Sequence, residues 1–322
     1  MPPHRGHEFL VSFARHYVHK LYVVVGTLPG EPIPGTLRWQ WMKELFTECE
    51  VLHLHQVLPQ APEEAVDFWD QWEQALKNLL PEPVQCVFAS ESYGEPLAQV
   101  LNARFIPLDL PRQVVPISAT QIRAEPFKHW EYLPAVVRPY FARRICVVGP
   151  ECSGKTTLTR ALAKYYDTVY APEYAELWLR YRSNYGVEAG ALFPEHFETI
   201  ARGQRALEQS RVKHCHRLLF CDTDPLTTLA WATYLCPPEH HAALQMTLEP
   251  LIKACEYELY FYCTPDIPWQ ADQHRLDPEG RERFGDHLRH LLQKYNRSVN
   301  VLSGNLDSRL AAAKQAIDAV LL

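Results

Sequence analysis

The sequence predicts an α/β protein of two domains, each built on parallel strands. The chain's 322 residues exceed what a single hydrophobic core usually serves. Short apolar runs alternate with stretches of helical spacing along both halves, the pattern of successive β/α units. Midway, the turn Gly149-Pro-Glu-Cys-Ser-Gly154 separates an apolar run from a helical one.

Composition narrows the class. With 47% hydrophobic and 22% charged residues the chain is an ordinary globular protein rather than a disordered or fibrous one. A net charge of -6 argues against a nucleic-acid partner, although a local site can still be basic. The nine cysteines stand singly, with no C-x-x-C pair to suggest a zinc ribbon or redox motif, and several sit in apolar runs as buried thiols would. That suits a reducing, cytoplasmic setting. No apolar run reaches the roughly 18 residues of a membrane span, and no signal pattern opens the chain, so no membrane partner is expected. A homo-oligomer is compatible with all of this.

In chain order, Met1–Gly6 reads as loop and Glu8–His19 as a helix with Phe9, Leu10, Phe13 and Tyr17 on one face. Leu21–Val25 is a short strand stopped by Gly26. Thr36–Phe46 is a helix, Val51–Gln56 a strand, and Glu63–Leu80 an amphipathic helix rich in Trp. Val84–Ala89 and Arg104–Leu108 are strands around a further helix after Gly94. From Ala124 to Arg144, prolines at 126, 134 and 139 break the chain into short aromatic helical pieces, which places a domain boundary at 140/141. Beyond it Ile145–Val148, Arg217–Cys221, Glu258–Tyr262 and Ser298–Leu302 are strands. Lys155–Tyr166 and Leu310–Leu322 are helices.

Gly149-Pro-Glu-Cys-Ser153-Gly154-Lys155-Thr156 fits G-x-x-x-x-G-K-[ST] in the required strand–turn–helix context. The glycines, with Ser153 between them, let backbone N–H groups wrap a β-phosphate. Lys155 reaches the β/γ-phosphates, and the Thr156 hydroxyl, with Thr157 behind it, can serve Mg²⁺ and phosphate. The predicted ligand is ATP with Mg²⁺. An acidic partner for the metal is needed at a neighbouring strand end, and Leu218-Leu-Phe-Cys-Asp222-Thr-Asp224 supplies it. Asp222 is the metal-linked acid, and Asp224 a substrate contact. An N-cap before Pro225 is the alternative use of this acidic pair. Glu173, after Val169-Tyr-Ala-Pro, can take a proton from an attacking hydroxyl, hold the acceptor, or simply open a helix. Trp269, Asp272 and Arg275 lie in a basic stretch with Arg281 and Arg283. It reads as a lid whose arginine neutralises a transferred phosphoryl group, or as a solvated basic face. Tyr174, Trp178 and Trp231 could stack on a flat ligand ring or pack a core.

At the amino end, His4-Arg5-Gly6-His7 is weak evidence in a chain of 15 histidines. A distant partner strengthens it: Ser118-Ala-Thr120-Gln-Ile-Arg123. An H-x-G-H and an S-x-T-x-x-R at two helix starts form the two halves of a nucleotidyltransferase site. The imidazoles and Arg123, with Ser118 and Thr120, there hold ATP phosphates and the leaving pyrophosphate, and positioning does most of the catalysis.

Taken together these motifs resemble the bifunctional NadR-type enzymes over essentially the whole chain. The resemblance rests on Pro2-Pro-His-Arg-Gly-His-Glu8, Leu37-Arg-Trp39, Ser90-Glu-Ser-Tyr-Gly94, Val115 to Arg123, Pro126-Phe-Lys-His-Trp130, Val137-Arg-Pro-Tyr140, the phosphate loop, Cys221-Asp-Thr-Asp224 and Pro268-Trp269, in the family's order. It implies a Rossmann-like nicotinamide mononucleotide adenylyltransferase at 1–140 and a P-loop ribosylnicotinamide kinase with a parallel sheet at 141–322. The implied substrates are nicotinamide riboside, its mononucleotide (NMN) and ATP. Some members of the family carry a helix-turn-helix domain, which this sequence does not show. The resemblance also implies a central strand ending in G-x-F-x-P, and the chain starts one residue before that Pro. Leaving such a strand out would strand two rows of backbone groups at roughly 1–3 kcal/mol each. The expectation is therefore a start upstream of Met1 and a first domain lacking its first strand here. After Glu173-Tyr174 an arginine common in related kinases is replaced by Ala175-Glu176. Two rival readings stand beside the bifunctional enzyme: a kinase with a crippled first domain, and a nucleotide-bound sensor without useful turnover.

Overall fold

Short apolar runs become parallel strands in both halves of the computed structural model, which describes residues 1–184, 192–268 and 278–321. The chain divides into two units, Met1–Tyr140 and Phe141–Leu322.

Unit 1 runs α1 (Arg5–Tyr17), β1 (Tyr22–Gly26), α2 (Gly35–Leu45), β2 (Glu50–Leu54), α3 (Phe68–Leu79), β3 (Cys86–Ala89), α4 (Gly94–Val100), β4 (Arg104–Pro107) and α5 (Ala119–Ala124), with the short α6 (Arg138–Phe141) at the boundary. Two differences from the sequence reading have local causes. The first helix begins at Arg5, inside the expected loop, because His4 caps it. The expected helix over 63–80 is split into a 3₁₀ turn at Pro62–Glu64 and α3. Ala65 between them is extended, at φ -152° and ψ 134°.

The strands of unit 1 form two separate parallel pairs, β1 with β2 and β3 with β4. Each strand therefore carries one row of backbone N–H and C=O groups outside any ladder. Their burial is correspondingly shallow: in β1 only Val25, and in β3 only Ala89, is fully buried. The strand implied by the family resemblance has no counterpart among the described residues. Trp130, Val137, Ile122 and Leu133 are all within 1% of complete burial, and Leu54, Leu58, Ala75 and Leu76 form a core cluster with Val24 and Trp72 packed against it.

Unit 2 follows with β5 (Arg143–Val148), α7 (Lys155–Tyr165), β6 (Tyr170–Ala171), α8 (Tyr174–Asn184), α9 (Pro194–Val212), β7 (Leu218–Asp222), α10 (Pro225–Leu235), α11 (His241–Lys253), β8 (Leu259–Cys263), α12 (Pro278–Lys294), β9 (Val299–Leu302) and α13 (Leu306–Leu321). Its sheet is continuous and all parallel, in the order β6-β7-β5-β8-β9. β7 is buried at every position and β5 over its last four, as continuous apolar runs covered on both faces should be. One face holds Leu158, Leu162, Ala313 and Ile317 from α7 and α13. The other holds Phe197, Leu229, Leu248, Phe284 and Leu288 from α9 to α12. Each such side chain stabilises the unit by about 1.5–3 kcal/mol. The nine cysteines are free thiols. No helix among the described residues is long and apolar enough to cross a membrane.

This asymmetry has a kinetic consequence. In hydrogen–deuterium exchange, amides of β5, β7 and β8, held by ladders on both sides, should be the slowest in the protein, and those of β1 and β3 should exchange markedly faster. Equal protection in the two sets would contradict the pairing described here.

Candidate functional site

In unit 2 the strand β5 delivers the chain into the phosphate loop and α7 takes it away. Gly149 has φ +149°, and a Cβ there would stand 2.5 Å from the Cys263 carbonyl oxygen, so only glycine fits. Gly154 turns at φ +80° immediately before Lys155. Within the loop the Ser153 hydroxyl donates to the Pro150 carbonyl at 2.7 Å, and the Lys155 ammonium donates to the same oxygen at 3.0 Å. Lys155 thus stays folded over its own loop, within reach of any anion entering it. Thr156 is half-buried beside it, and Thr157 faces solvent.

The neighbouring strand ends complete the site, since ligands of open α/β sheets bind at the carboxyl ends of the strands. Asp222 closes β7, directly beside β5. It is fully buried, and among the described residues no donor other than the nearby Thr156 hydroxyl approaches either carboxylate oxygen. Burial raises its pKa, opposed by Lys155 and the nearby Thr156 hydroxyl. Glu173 follows β6, beside β7, and burial pushes its carboxyl up to about 7, against Lys155 and with a further push from Asp222. Lys155, Thr156, Asp222 and Glu173 therefore form one electrostatic group. A hydroxyl and an enclosed carboxylate are hard oxygen donors and fit Mg²⁺, which takes one or two protein oxygens and completes its shell with phosphates and water.

In unit 1 the H-x-G-H stretch is a helix cap built from imidazoles. His4 Nδ1 accepts from the Gly6 N–H at 3.0 Å, and the His4 N–H donates to His7 Nδ1 at 3.2 Å. The rings lie 4.1 Å apart. Burial pushes His4 down to about 3 and His7 to about 4, so both are neutral at pH 7. With each Nδ1 accepting, the ring proton is assigned to Nε2. The cap thereby sets two Nε2–H donors free for an anion. Arg112, which the sequence reading did not single out, faces both rings electrostatically and pairs with Glu91 at 2.9 Å. The turn it sits on is held by Asp109, whose carboxylate accepts from the N–H groups of Gln113, Val114 and Val115 at 2.7, 3.1 and 3.0 Å.

That turn leads to the second half-site. Ser118 caps α5 through reciprocal bonds with Gln121. Arg123 donates to the Thr120 hydroxyl and to the Met1 carbonyl, both at 3.2 Å, which brings the two distant motifs together. A further cluster at the ends of β1 and β2 had no signal beyond the Leu37-Arg-Trp39 run. His53 stacks on Trp39 with centroids 5.1 Å apart and bonds Thr27 at 2.8 Å, and the buried Arg38 pairs with Glu31.

Comparison with known proteins adds an independent line. An AAA domain family model matches residues 144–309, just over half the chain. The chain belongs to this family. It is also homologous to NadR. It is 28% identical over 329 residues to the trifunctional NAD biosynthesis/regulator protein NadR of Escherichia coli K12, covering 96% of this chain and 78% of that protein. To the Salmonella typhimurium LT2 protein of the same name it is 27% identical over 328 residues, with the same coverage. Its fold matches the crystal structure of NadR in complex with NR at a TM-score of 0.79 and 23% identity, over 99% of this chain and 92% of that one. The structure of NadR with NAD and AMP-PNP matches at 0.76 with the same identity and coverage.

The other candidates of the AAA domain have surroundings of their own. Asp224 is corrected from a substrate contact to an N-cap. One oxygen accepts from the Thr227 N–H and hydroxyl and the other from the Tyr260 hydroxyl, and the side chain is sealed from solvent. Trp231 is a packing residue, stacked on Phe284 at 3.7 Å. Tyr174 lies against Gly203, where a Cβ would come within 2.1 Å of its ring, and its N–H donates to Gln204. Trp178 carries the Arg182 guanidinium 4.7 Å above its ring. Arg281 is buried and donates to the carbonyls of Pro265 and Ile267, while Arg283 lies 3.8 Å from Glu279. Trp269, Asp272 and Arg275 lie outside the described residues.

The histidine cap predicts a pH response. Both folded pKa values lie below the unfolded value near 6.5, so as pH falls the unfolded chain binds protons first. Stability contributed by the pair is complete above about 6.5 and is lost progressively as pH falls through about 4 for His7 and about 3 for His4. His4→Asn keeps a capping acceptor without a titrating ring. Thermal melts of this variant should show a shallower acid decline than the parent, and an identical decline would contradict the assignment.

Proposed function

We propose that the chain is a bifunctional transferase of pyridine nucleotide salvage, acting in the cytoplasm. Unit 2 would phosphorylate nicotinamide riboside with ATP to NMN, and unit 1 would join NMN to the AMP part of ATP, releasing pyrophosphate and giving NAD. The observation that carries the kinase reading is Asp222: a sealed carboxylate that no hydrogen bond satisfies among the described residues, beside a phosphate loop with Lys155 and Thr156 in place. Homology to NadR and the likeness to NadR structures with NR, NAD and AMP-PNP support the choice of substrate.

In this reading the loop's backbone N–H groups hold the β-phosphate, and Lys155 leaves the Pro150 carbonyl for the β/γ-phosphates. Thr156 and Asp222 would hold Mg²⁺, which would neutralise the triphosphate charge when bound. Glu173 accepts the proton of the ribose hydroxyl as its oxygen bonds to the γ-phosphorus. The bond from that phosphorus to the β–γ bridging oxygen breaks, and ADP leaves. Arg275 and Asp272 are proposed as contacts of the phosphoryl group and the riboside, and Trp269 as a substrate contact, on the sequence reading alone. In unit 1 the Nε2–H groups of His4 and His7, with Arg123 and the hydroxyls of Ser118 and Thr120, hold the phosphates while pyrophosphate departs.

A specific observation favours a second reading, a kinase with an inactive first unit: the sheet of unit 1 is split into two pairs. Purified protein with ATP and Mg²⁺ separates the two. NMN formed from nicotinamide riboside, and NAD formed from NMN, both detected by chromatography, support the bifunctional enzyme. NMN alone supports the kinase, and no product from either substrate sinks both.

The base assignment has its own test. With a carboxyl near 7, kcat/KM for the riboside should rise with pH and level off above about 7. Glu173→Gln should lower kcat by about 10²–10⁴-fold and remove that rise. A variant with the parental rate would show that Glu173 only positions the helix it opens.

A further inference from the structure

The phosphate loop is held from outside by one buried side chain that no motif marks. Arg309, in the first turn of α13, is 3% exposed. Its Nε donates to the Gly304 carbonyl at 2.9 Å, and one Nη donates to the Thr264 carbonyl at 3.0 Å and to the Asp266 carboxylate. The other Nη donates to the carbonyl of Ser153, inside the phosphate loop and 156 residues away in sequence. Asp266 in turn accepts from the Gly304 N–H at 2.6 Å. One guanidinium thus ties together the ends of β8 and β9, the start of α13 and the phosphate loop.

The Ser153 contact fixes a peptide plane. A trans peptide holds its C=O and the following N–H on opposite sides. With the Ser153 oxygen drawn out towards Arg309, the Gly154 N–H is turned the other way, into the concave side of the loop where the phosphates sit. Gly154 has no side chain to resist rotation, and its φ of +80° shows the position to be conformationally permissive. An external anchor is therefore what keeps this donor pointed inward. Only a guanidinium suits the task, since its planar fork can serve several acceptors at fixed angles while an ammonium acts as a point donor.

We propose that Arg309 is a positioning residue for the triphosphate: through the Ser153 carbonyl it holds the Gly154 N–H in its phosphate-binding direction. The inference rests on the kinase reading above. It predicts a selective effect. Arg309→Lys keeps the positive charge beside Asp266 but cannot reach all four acceptors. By calorimetry its affinity for Mg·AMP-PNP should fall about tenfold, the scale of one hydrogen bond from a charged donor, while KM for nicotinamide riboside stays within about twofold of the parent. Asp266→Asn serves as the structural control. It removes the counter-charge without touching the Ser153 contact, so it should lower the melting temperature with little change in AMP-PNP affinity.

A folded Arg309→Lys with parental AMP-PNP affinity would overturn the proposal. So would a loss of both ligands in step with melting temperature in both variants, which would make Arg309 a purely structural tie. Hydrogen exchange on the unaltered protein gives a second reading that needs no variant: AMP-PNP should slow exchange at 303–309 as well as in the loop. Protection confined to the loop would count against the coupling. Failure of the parent to bind AMP-PNP at all would overturn the kinase reading and this inference with it.

Discussion

Asp222 sits with both carboxylate oxygens enclosed and, among the described residues, unsatisfied by any hydrogen bond, at the end of a strand whose every side chain is buried. An unmet buried acceptor costs roughly 1–3 kcal/mol, and more when charged. Much of unit 2 exists to sustain that cost. Leu218, Leu219 and Phe220 drive β7 between β5 and β6, and helices on both faces keep water out. The same exclusion of water raises the Asp222 and Glu173 pKa values and strengthens their interaction with Lys155. A site that is costly when empty favours the cationic or protonated partner that relieves it. Sites of that kind recur where catalysis needs shifted carboxyl groups.

Unit 1 is organised on a different economy. Its strands are paired on one side only, and the core cluster that packs on them is small, built on Leu54, Leu58, Ala75 and Leu76. Order at its site comes from local devices: an imidazole cap on α1, a hydroxyl cap on α5, and three backbone N–H groups gathered by Asp109. Caps of this kind contribute about 1 kcal/mol each. They also fix ring tautomers and hydroxyl directions, which is the property a phosphate-holding site needs. The groups of this site are thus arranged even though the sheet beneath them is divided.

How much was legible in the sequence follows from how local each signal is. The phosphate loop, its strand and its helix are contiguous, and Gly149, Gly154 and Lys155 stand where their spacing put them. The apolar runs of β5, β7 and β8 read directly, because strands buried on both faces carry no polar alternation to confuse them. The approach of Arg123 to the amino-terminal stretch, made through the Met1 carbonyl, was also legible, since the two patterns make sense only beside each other. Three things were not. The sealing of the second Asp224 oxygen depends on Tyr260, which only the sheet brings near, although the cap itself was among the readings the sequence offered. The helices α9 and α10 show no one-sided stripe, since α9 buries Gln204 and Glu208 among its apolar residues and α10 is apolar on nearly every side. Arg309 looks like any arginine at a helix start. Its meaning lies in the carbonyls of Ser153, Thr264 and Gly304, and backbone acceptors leave no trace in sequence.

The claim on which this account turns is that the sealed Asp222 carboxylate serves a divalent cation at the phosphate loop. Calorimetry of AMP-PNP binding with and without Mg²⁺, on the parent and on Asp222→Asn, tests it directly. The account predicts that Mg²⁺ tightens binding by about tenfold or more in the parent, as a cation shared by the β- and γ-phosphates should. It predicts that most of this gain disappears in the variant, while binding without Mg²⁺ is unchanged or improved because the buried negative charge has gone. An equal Mg²⁺ gain in both proteins would contradict it, and Asp222 would then be a buried acid with no part in the chemistry.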